Sequence, residues 1–264
     1  MVSAQGVDKA AGFGFAEQLD AIASATAVIV EHLESAGPKA AVPTCPDWTL
    51  RDLVAHVGMV HRWATTIVAN GITQRPDITV EPAPADGLAD WLVDGSDRLV
   101  ETIAQAPDDL QSLVIFKTGL SPKEFWARRQ AHESTIHSVD AQSARRGRIP
   151  TTKEADIRQE LAVDGLDELL TGFVPRRNSE LRSEEPLTFV VAPTDIDRAW
   201  TVLLSADPPV TSRGGMAGGD ADAVLTGTAA SLYLGLHNRG DEIAVTGEPE
   251  LLGVWRDKVR IRWS

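Results

Sequence analysis

A glutamate and a histidine four residues apart, Glu133 and His137, are well suited to bind a metal ion together. Four residues span slightly more than one helical turn, so on a helix both side chains project from the same face. His132 lies five residues before His137, which places it about 140° away around a helix and makes a shared ion difficult. A carboxylate and an imidazole are two ligands, so a metal site needs a third from elsewhere in the chain.

His56 is the candidate for this third ligand. It lies within the apolar stripe of a predicted helix, which indicates that its side chain points into a helical core. Two neutral imidazoles and one carboxylate suit Zn²⁺ and leave a coordination position open, although nickel and other divalent ions also accept this set. Asp52, one turn before His56, and Asp140, three residues after His137, are placed to orient the two imidazole rings.

The same residues also have ordinary structural interpretations. A single histidine on an apolar helix face is more often a core residue than a metal ligand. On an exposed helix, Glu133 and His137 would form a pair that contributes roughly 0.2–0.5 kcal/mol. If Glu133 is buried, its charge needs a positive partner. Either a divalent cation or Arg129, one turn earlier, meets that need.

The elements that must position these residues are helices, which dominate the first two thirds of the chain. Apolar residues at helical spacing predict helices within 15–37, 45–71, 86–107, 120–147 and 151–173. Capping patterns mark three helix starts, at Thr49 with Asp52, Ser121 with Glu124 and Thr151 with Glu154. Long amphipathic helices with short links predict an antiparallel bundle, with four core helices that the fifth extends or flanks.

The pattern changes after the polar stretch 174–185, which we interpret as a linker. Apolar or alternating runs then predict strands at 187–193, 198–206, 222–228, 242–248 and 259–263, and short helices at 229–240 and 250–258. The glycine-rich run 212–221 does not precede a helix with a lysine, so we interpret it as a turn rather than a phosphate loop. The expected fold is therefore α+β, with a helical bundle domain at 1–178 and a small α+β domain at 186–264.

Composition and charge exclude several classes of partner. A chain that is 43% hydrophobic and 24% charged is typical of a soluble globular protein. Its net charge of −13 disfavours nucleic acid and anionic membranes. No run reaches the roughly eighteen apolar residues of a membrane span, and no signal-peptide core begins the chain. We therefore expect a cytoplasmic protein, and the single cysteine, Cys45, fits a reducing compartment.

Two motifs together resemble the mycothiol-dependent maleylpyruvate isomerase family. They are PTCPDWTLRDLVAHVG at 43–58 and RRQAHESTIHSVDAQSA at 128–144. The stretch 221–261 is similar to the second domain of that family. The resemblance implies a DinB-like helical bundle followed by a domain similar to sterol carrier proteins.

The resemblance also implies a set of site residues. It implies that a divalent metal, usually zinc, is bound by His56, Glu133 and His137, with His132 outside the ligand set. It also implies that an arginine of the second domain acts on substrate or thiol, and the matching residue in this chain is Arg239. An arginine at a helix end can instead interact only with the helix dipole. Cys45 precedes a proline and is expected at a helix start rather than as a nucleophile.

Mycothiol, a low-molecular-weight thiol, is the cosubstrate that the resemblance implies. A thiol bound to a metal ion is deprotonated by the charge of the ion. Three functions are then candidates: isomerisation of a maleyl-type substrate by reversible thiolate addition, S-transfer to small-molecule electrophiles, and non-catalytic binding of a metal and an apolar ligand. We expect Arg239 to be catalytic and Arg129 and Arg239 to bind the thiol, with Arg128 as a further anion partner. The sequence does not indicate the oligomeric state.

Overall fold

The computed structural model describes residues 13–77, 79–214 and 221–259. The chain folds into two compact units, Met1–Arg148 and Ile149–Ser264. The first is helical, and the second combines helices with a five-stranded sheet. The predicted α+β fold with two domains is therefore confirmed.

The first unit contains four long helices, which lie within the first four of the five predicted helical stretches. They are α1 (Phe15–Ala36), α2 (Leu50–Asn70), α3 (Leu88–Gln105) and α4 (Pro122–Arg146). Capping boxes begin α2 and α4: Thr49 accepts a hydrogen bond from the backbone of Asp52, and Ser121 accepts one from the backbone of Glu124. Each box satisfies amide groups that lack a partner within the helix, so these two starts are fixed locally by the sequence.

Helix α2 brings the apolar stripe that the sequence predicts into the core. Its members are Leu53, Val57, Val60, Ala64 and Ile67, all fully buried. On the α3 side, Gly58 lies directly against the ring of Trp91, where any larger side chain would collide with the indole. The glycine thus permits close packing of α2 on α3.

Helix α4 runs antiparallel to α2 and is buried from Phe125 to Ala144. The direction follows from two contacts, since His137 lies beside His56 and Trp126 lies beside Trp63. Much of the buried part of α4 is polar or charged. Buried polar groups need partners inside the protein, so this helix is where a functional cluster is expected.

The second unit is built around a sheet with the strand order β3-β2-β1-β4-β5. Its strands are β1 (Leu187–Pro193), β2 (Trp200–Leu204), β3 (Val210–Arg213), β4 (Ala223–Gly227) and β5 (Ala244–Gly247). Strands β1 and β4 pair in parallel, and the other pairs are antiparallel. The helices are α5 (Thr152–Ala155), α6 (Gln159–Glu168), α7 (Ala229–Leu236) and α8 (Leu251–Lys258), and a π-helical turn, Leu169–Phe173, extends α6.

The stretch 151–173 differs from its prediction in two ways. It forms two helices rather than one, because Asp156 adopts a left-handed backbone conformation with φ of 51° and ends α5. It also belongs to the second unit, whereas the sequence assigned it to the bundle domain ending at 178. Asp167 of α6 accepts hydrogen bonds from Trp200 Nε1 at 3.0 Å and Arg213 Nη2 at 2.8 Å. The apolar face of this stretch indicates that it packs against another element, but it does not indicate which element, and the sequence therefore assigned the stretch to the wrong unit.

Strand β3 was not predicted, since its four residues are mostly exposed and lack an apolar alternation. The other four strands in the described residues lie within their predicted ranges. The predicted strand at 259–263 lies almost entirely outside the described residues, as does most of the glycine-rich run 212–221.

Candidate metal centre

Three side chains from two helices meet in the first unit: His56 from α2, and Glu133 and His137 from α4. One potential ligand atom from each of them lies within 4.8 Å of the other two. Glu133 Oε1 is 3.2 Å from His137 Nε2 and 3.5 Å from His56 Nε2. The structure thus brings together the three residues that the sequence proposes as ligands, although their role as ligands stays a prediction.

The two oxygens of Glu133 have different surroundings. Oε2 accepts a charge-assisted hydrogen bond from Arg129 Nη2 at 3.1 Å. Oε1 is buried and close to both imidazoles but has no well-directed hydrogen bond. Burial raises the pKa of Glu133, but the contacts with His137, His56 and Arg129 outweigh burial and hold the pKa well below its ordinary value. A buried, ionised oxygen that faces two imidazole nitrogens fits a bound cation.

His137 is held by the residue three positions further along α4. Its Nδ1 donates a hydrogen bond to Asp140 Oδ2 at 2.9 Å, and Asp140 is fully buried. This bond leaves Nε2 directed to the side of Glu133. Burial lowers the pKa of His137, but the hydrogen bond to Asp140 and the close contact with the Glu133 carboxylate outweigh burial and raise the pKa to about 9. Without a metal ion, His137 is therefore an imidazolium at neutral pH.

Asp140 has the orienting position that the sequence expects, and Asp52 does not. Asp52 accepts hydrogen bonds from the backbone and hydroxyl groups of Thr49 and is used to cap α2. Asp140 Oδ2 also accepts a weak hydrogen bond from the thiol of Cys45 at 3.7 Å. Cys45 thus lies beside the residues of the candidate metal centre, in the segment that leads into α2.

Trp48 covers the two imidazoles and was missed by sequence reasoning. Its ring centroid lies 4.9 Å from that of His56 and 6.1 Å from that of His137. Trp48 immediately precedes the capping residue Thr49 and packs against the apolar cluster that contains Leu53. This is the spacing of a hydrophobic staple, a signal that could have placed the indole near the first turns of α2.

Among the described residues of the first unit, two further histidines are buried outside the three-residue group. His132 is fully buried, and its ring centroid lies 6.1 Å from that of Phe13; that it does not share the site stays a prediction. His61 Nε2 hydrogen-bonds with Ser134 Oγ at 2.9 Å. Burial lowers the pKa of His61 to about 3, so its imidazole is neutral at physiological pH.

The two arginines proposed as thiol-binding residues lie in different units. Arg129 is almost fully buried and contacts Glu133. Arg239 follows α7 in the second unit, where its Nη1 donates to the backbone oxygen of His237 at 2.8 Å. The roles of Arg129 and Arg239 toward a thiol or substrate, including a catalytic role for Arg239, stay predictions.

The sequence profile of the mycothiol maleylpyruvate isomerase N-terminal domain matches residues 19–142, and that of the MDMPI C-terminal domain matches residues 160–253. The chain belongs to the mycothiol-dependent maleylpyruvate isomerase family. The N-terminal match contains His56, Glu133 and His137, and the C-terminal match contains Arg239. The family resemblance seen in the sequence is therefore confirmed over most of the chain.

Two solved structures share the maleylpyruvate isomerase family fold. The crystal structure of the mycothiol-dependent maleylpyruvate isomerase is 16% identical, with a TM-score of 0.60. A histidine-to-alanine variant of that enzyme has the same identity and a TM-score of 0.61. Each match covers 92% of this chain and 97% of the other chain. At this identity the likeness establishes the shared fold.

No protein with a curated description matches the chain. Among the residues that the structure describes, no helix is both long enough and apolar enough to cross a membrane.

Proposed function

We propose that this protein is a metal-dependent enzyme that uses mycothiol as its thiol cosubstrate. The observation that carries the proposal is the convergence of His56, Glu133 and His137 within 4.8 Å, in a chain of the mycothiol-dependent maleylpyruvate isomerase family. Buried side chains from facing helices are a common way to build a metal site in a helical bundle.

A divalent cation, with zinc as the first candidate, fits the residues present. His56, Glu133 and His137 offer two imidazole nitrogens and one carboxylate oxygen, the donor set of catalytic zinc sites that keep an open position. Asp140 holds the Nδ1 proton of His137 and leaves Nε2 for the ion. When bound, the ion would lower the pKa of a coordinating thiol and so supply a thiolate at neutral pH.

The proposed ligands are not fully enclosed by the protein. The side chains of His56 and His137 are 15% and 10% exposed, so the cluster is in contact with solvent. Trp48 is partly exposed and forms an aromatic wall beside both imidazoles. We propose that Trp48 excludes water from the side of the site where the substrate lies, and that Arg239 pairs with a substrate carboxylate.

Isomerisation of a maleyl-type substrate is the proposed reaction. The thiolate sulfur adds to the carbon–carbon double bond conjugated to a carbonyl group, and the electron pair moves onto the carbonyl oxygen. The former double bond then rotates as a single bond. Return of the electron pair expels the thiolate and leaves the trans product, so no atom is gained or lost.

Product analysis tests this proposal directly. Zinc-loaded protein is incubated with mycothiol and either maleylpyruvate or a panel of small electrophiles, and the products are identified by mass spectrometry and NMR. A trans isomer with full recovery of mycothiol is the expected result. A stable thioether would instead assign an S-transferase, and the absence of any product would favour a non-catalytic binding protein. In the same assay, His56→Ala should form no product, whereas His32→Ala, whose side chain lies beside Arg145 and Arg146 at the end of α4, should match the wild type.

A further inference from the structure

We propose that Arg129 is a positioning residue that limits Glu133 to one oxygen toward the cation and adds positive charge beside the bound thiol. This inference rests on the proposed function, since it concerns the same site. Arg129 and Glu133 lie one turn apart on α4, and their side chains are only 2% and 5% exposed. The pair is therefore a buried ion pair rather than a solvated pair on a helix surface.

The positioning effect follows from the different partners of the two carboxylate oxygens of Glu133. A carboxylate can bind a cation through one oxygen or through both. Arg129 Nη2 lies 3.1 Å from Oε2, whereas Oε1 faces the imidazoles of His56 and His137. With Oε2 engaged by the guanidinium, Oε1 is the oxygen available to the ion. Glu133 then fills one coordination position, and another stays open for the thiol.

The charge effect follows from the ionised groups around the cluster. Glu133 and Asp140 carry one negative charge each, and together they would balance a divalent cation. The guanidinium of Arg129 is always protonated and adds one positive charge. A positive charge beside the site favours a thiolate over a neutral thiol. Arg129 thus keeps a coordination position open for the thiol through its contact with Glu133, and its charge favours ionisation of the thiol.

A purely structural role for the Arg129–Glu133 pair is the alternative. In that case, removal of the guanidinium would lower the stability of α4 but would leave the coordination of the ion and the acidity of the thiol unchanged. Arg98 and Asp94 form a comparable i,i+4 pair on α3, where the side chains are 68% and 44% exposed. Arg98→Met is therefore a matched control for Arg129→Met.

Cobalt substitution gives a readout that does not depend on activity. Co²⁺ absorbs strongly in the visible range when it has four ligands and weakly when it has more. We expect the wild type and Arg98→Met to show strong absorption, and Arg129→Met to show weaker absorption because both oxygens of Glu133 can then reach the ion. Mycothiol affinity at pH 7.5 should fall on the order of tenfold in Arg129→Met, because a nearby positive charge is lost. Arg129→Lys, which keeps the positive charge, should retain most of the mycothiol affinity of the wild type.

The outcomes separate this inference from the proposed function. If the wild type binds no Co²⁺, the proposed function fails. If the wild type binds Co²⁺ and folded Arg129→Met keeps its spectrum and mycothiol affinity, the inference about Arg129 fails alone. Should Arg129→Met not fold, Arg129→Gln takes its place, with the same loss of mycothiol affinity expected because it also lacks the charge.

Discussion

The hydrogen bond of 2.9 Å from His137 Nδ1 to Asp140 Oδ2 determines which nitrogen of His137 faces Glu133. Both residues are buried on α4 and lie three positions apart, so the helix itself sets their geometry. A carboxylate in this position fixes the tautomer of the imidazole and increases its basicity. The candidate metal centre thus depends on Asp140 as well as on its three proposed ligands.

Replacement of Asp140 by asparagine should weaken metal binding without unfolding the protein. The amide keeps the shape and one acceptor but loses the charge, so we expect zinc affinity to fall roughly 10- to 100-fold. Competition with a chromophoric chelator measures this change. Asp94→Asn, on the partly exposed surface of α3, serves as the control. An unchanged zinc affinity in Asp140→Asn would contradict the proposed role of this residue.

Stability of the metal-free protein should fall as the pH rises from about 6.5 to about 9. The unfolded chain releases the proton of His137 near its ordinary pKa of 6.5, whereas the folded protein holds it until about pH 9. Between these values the folded state binds more protons, so the free energy of unfolding decreases with pH. Urea unfolding in the presence of a chelator at several pH values measures the decrease. His137→Gln should lack it, and equal slopes in both proteins would show that His137 is not the group responsible.

On the acid side, His61 should make the protein less stable as the pH falls below 6.5. Burial lowers the pKa of His61 to about 3 in the folded state, so between 6.5 and 3 the unfolded state binds the additional proton. The unfolding free energy then falls with decreasing pH, by up to about 1.4 kcal/mol per unit from this one group. His61→Gln, which can still hydrogen-bond with Ser134, should have a shallower acid slope. Parallel pH profiles for the two proteins would exclude this contribution.

The fold of the second unit should depend on Asp167. This buried carboxylate accepts hydrogen bonds from Trp200 of β2 and Arg213 of β3, which connects α6 with these two neighbouring antiparallel strands. Asp167→Ala leaves a fully buried indole without its partner, and we expect a loss on the order of 1–3 kcal/mol. Guanidinium unfolding measures the loss, with the exposed Asp207→Ala as control. Equal stability of the two variants would show that the Asp167 contacts are dispensable.

Helices α2 and α4, which carry the proposed metal ligands, could be predicted from the sequence because the patterns that mark them are local. The capping boxes at Thr49 and Ser121 and the apolar stripe of α2 act within one helix, so spacing alone reveals them. The face shared by Glu133 and His137 is likewise a property of one helix. His56 lies on a different helix, and its proximity to Glu133 required the assumption that α2 and α4 pack face to face.

The remaining features depend on contacts between elements that are distant in the sequence. The position of Trp48 over His56 and His137 is determined by the packing of α2 on α4, and the assignment of 151–173 to the second unit is determined by contacts of Asp167 with two strands. The sequence shows that these groups are apolar or charged, but it does not show their partners. The same holds for His61, whose hydrogen-bond partner, Ser134, lies on another helix.

Metal content is the measurement that tests the central claim most directly. Wild type, His56→Ala and His32→Ala are expressed with added zinc, purified by gel filtration without a chelator and analysed by mass spectrometry of the metal. We expect about one zinc ion per chain in the wild type and in His32→Ala, and nearly none in His56→Ala, with equal helix content by circular dichroism. Full zinc content in folded His56→Ala would contradict the assignment of His56, Glu133 and His137 as the metal ligands.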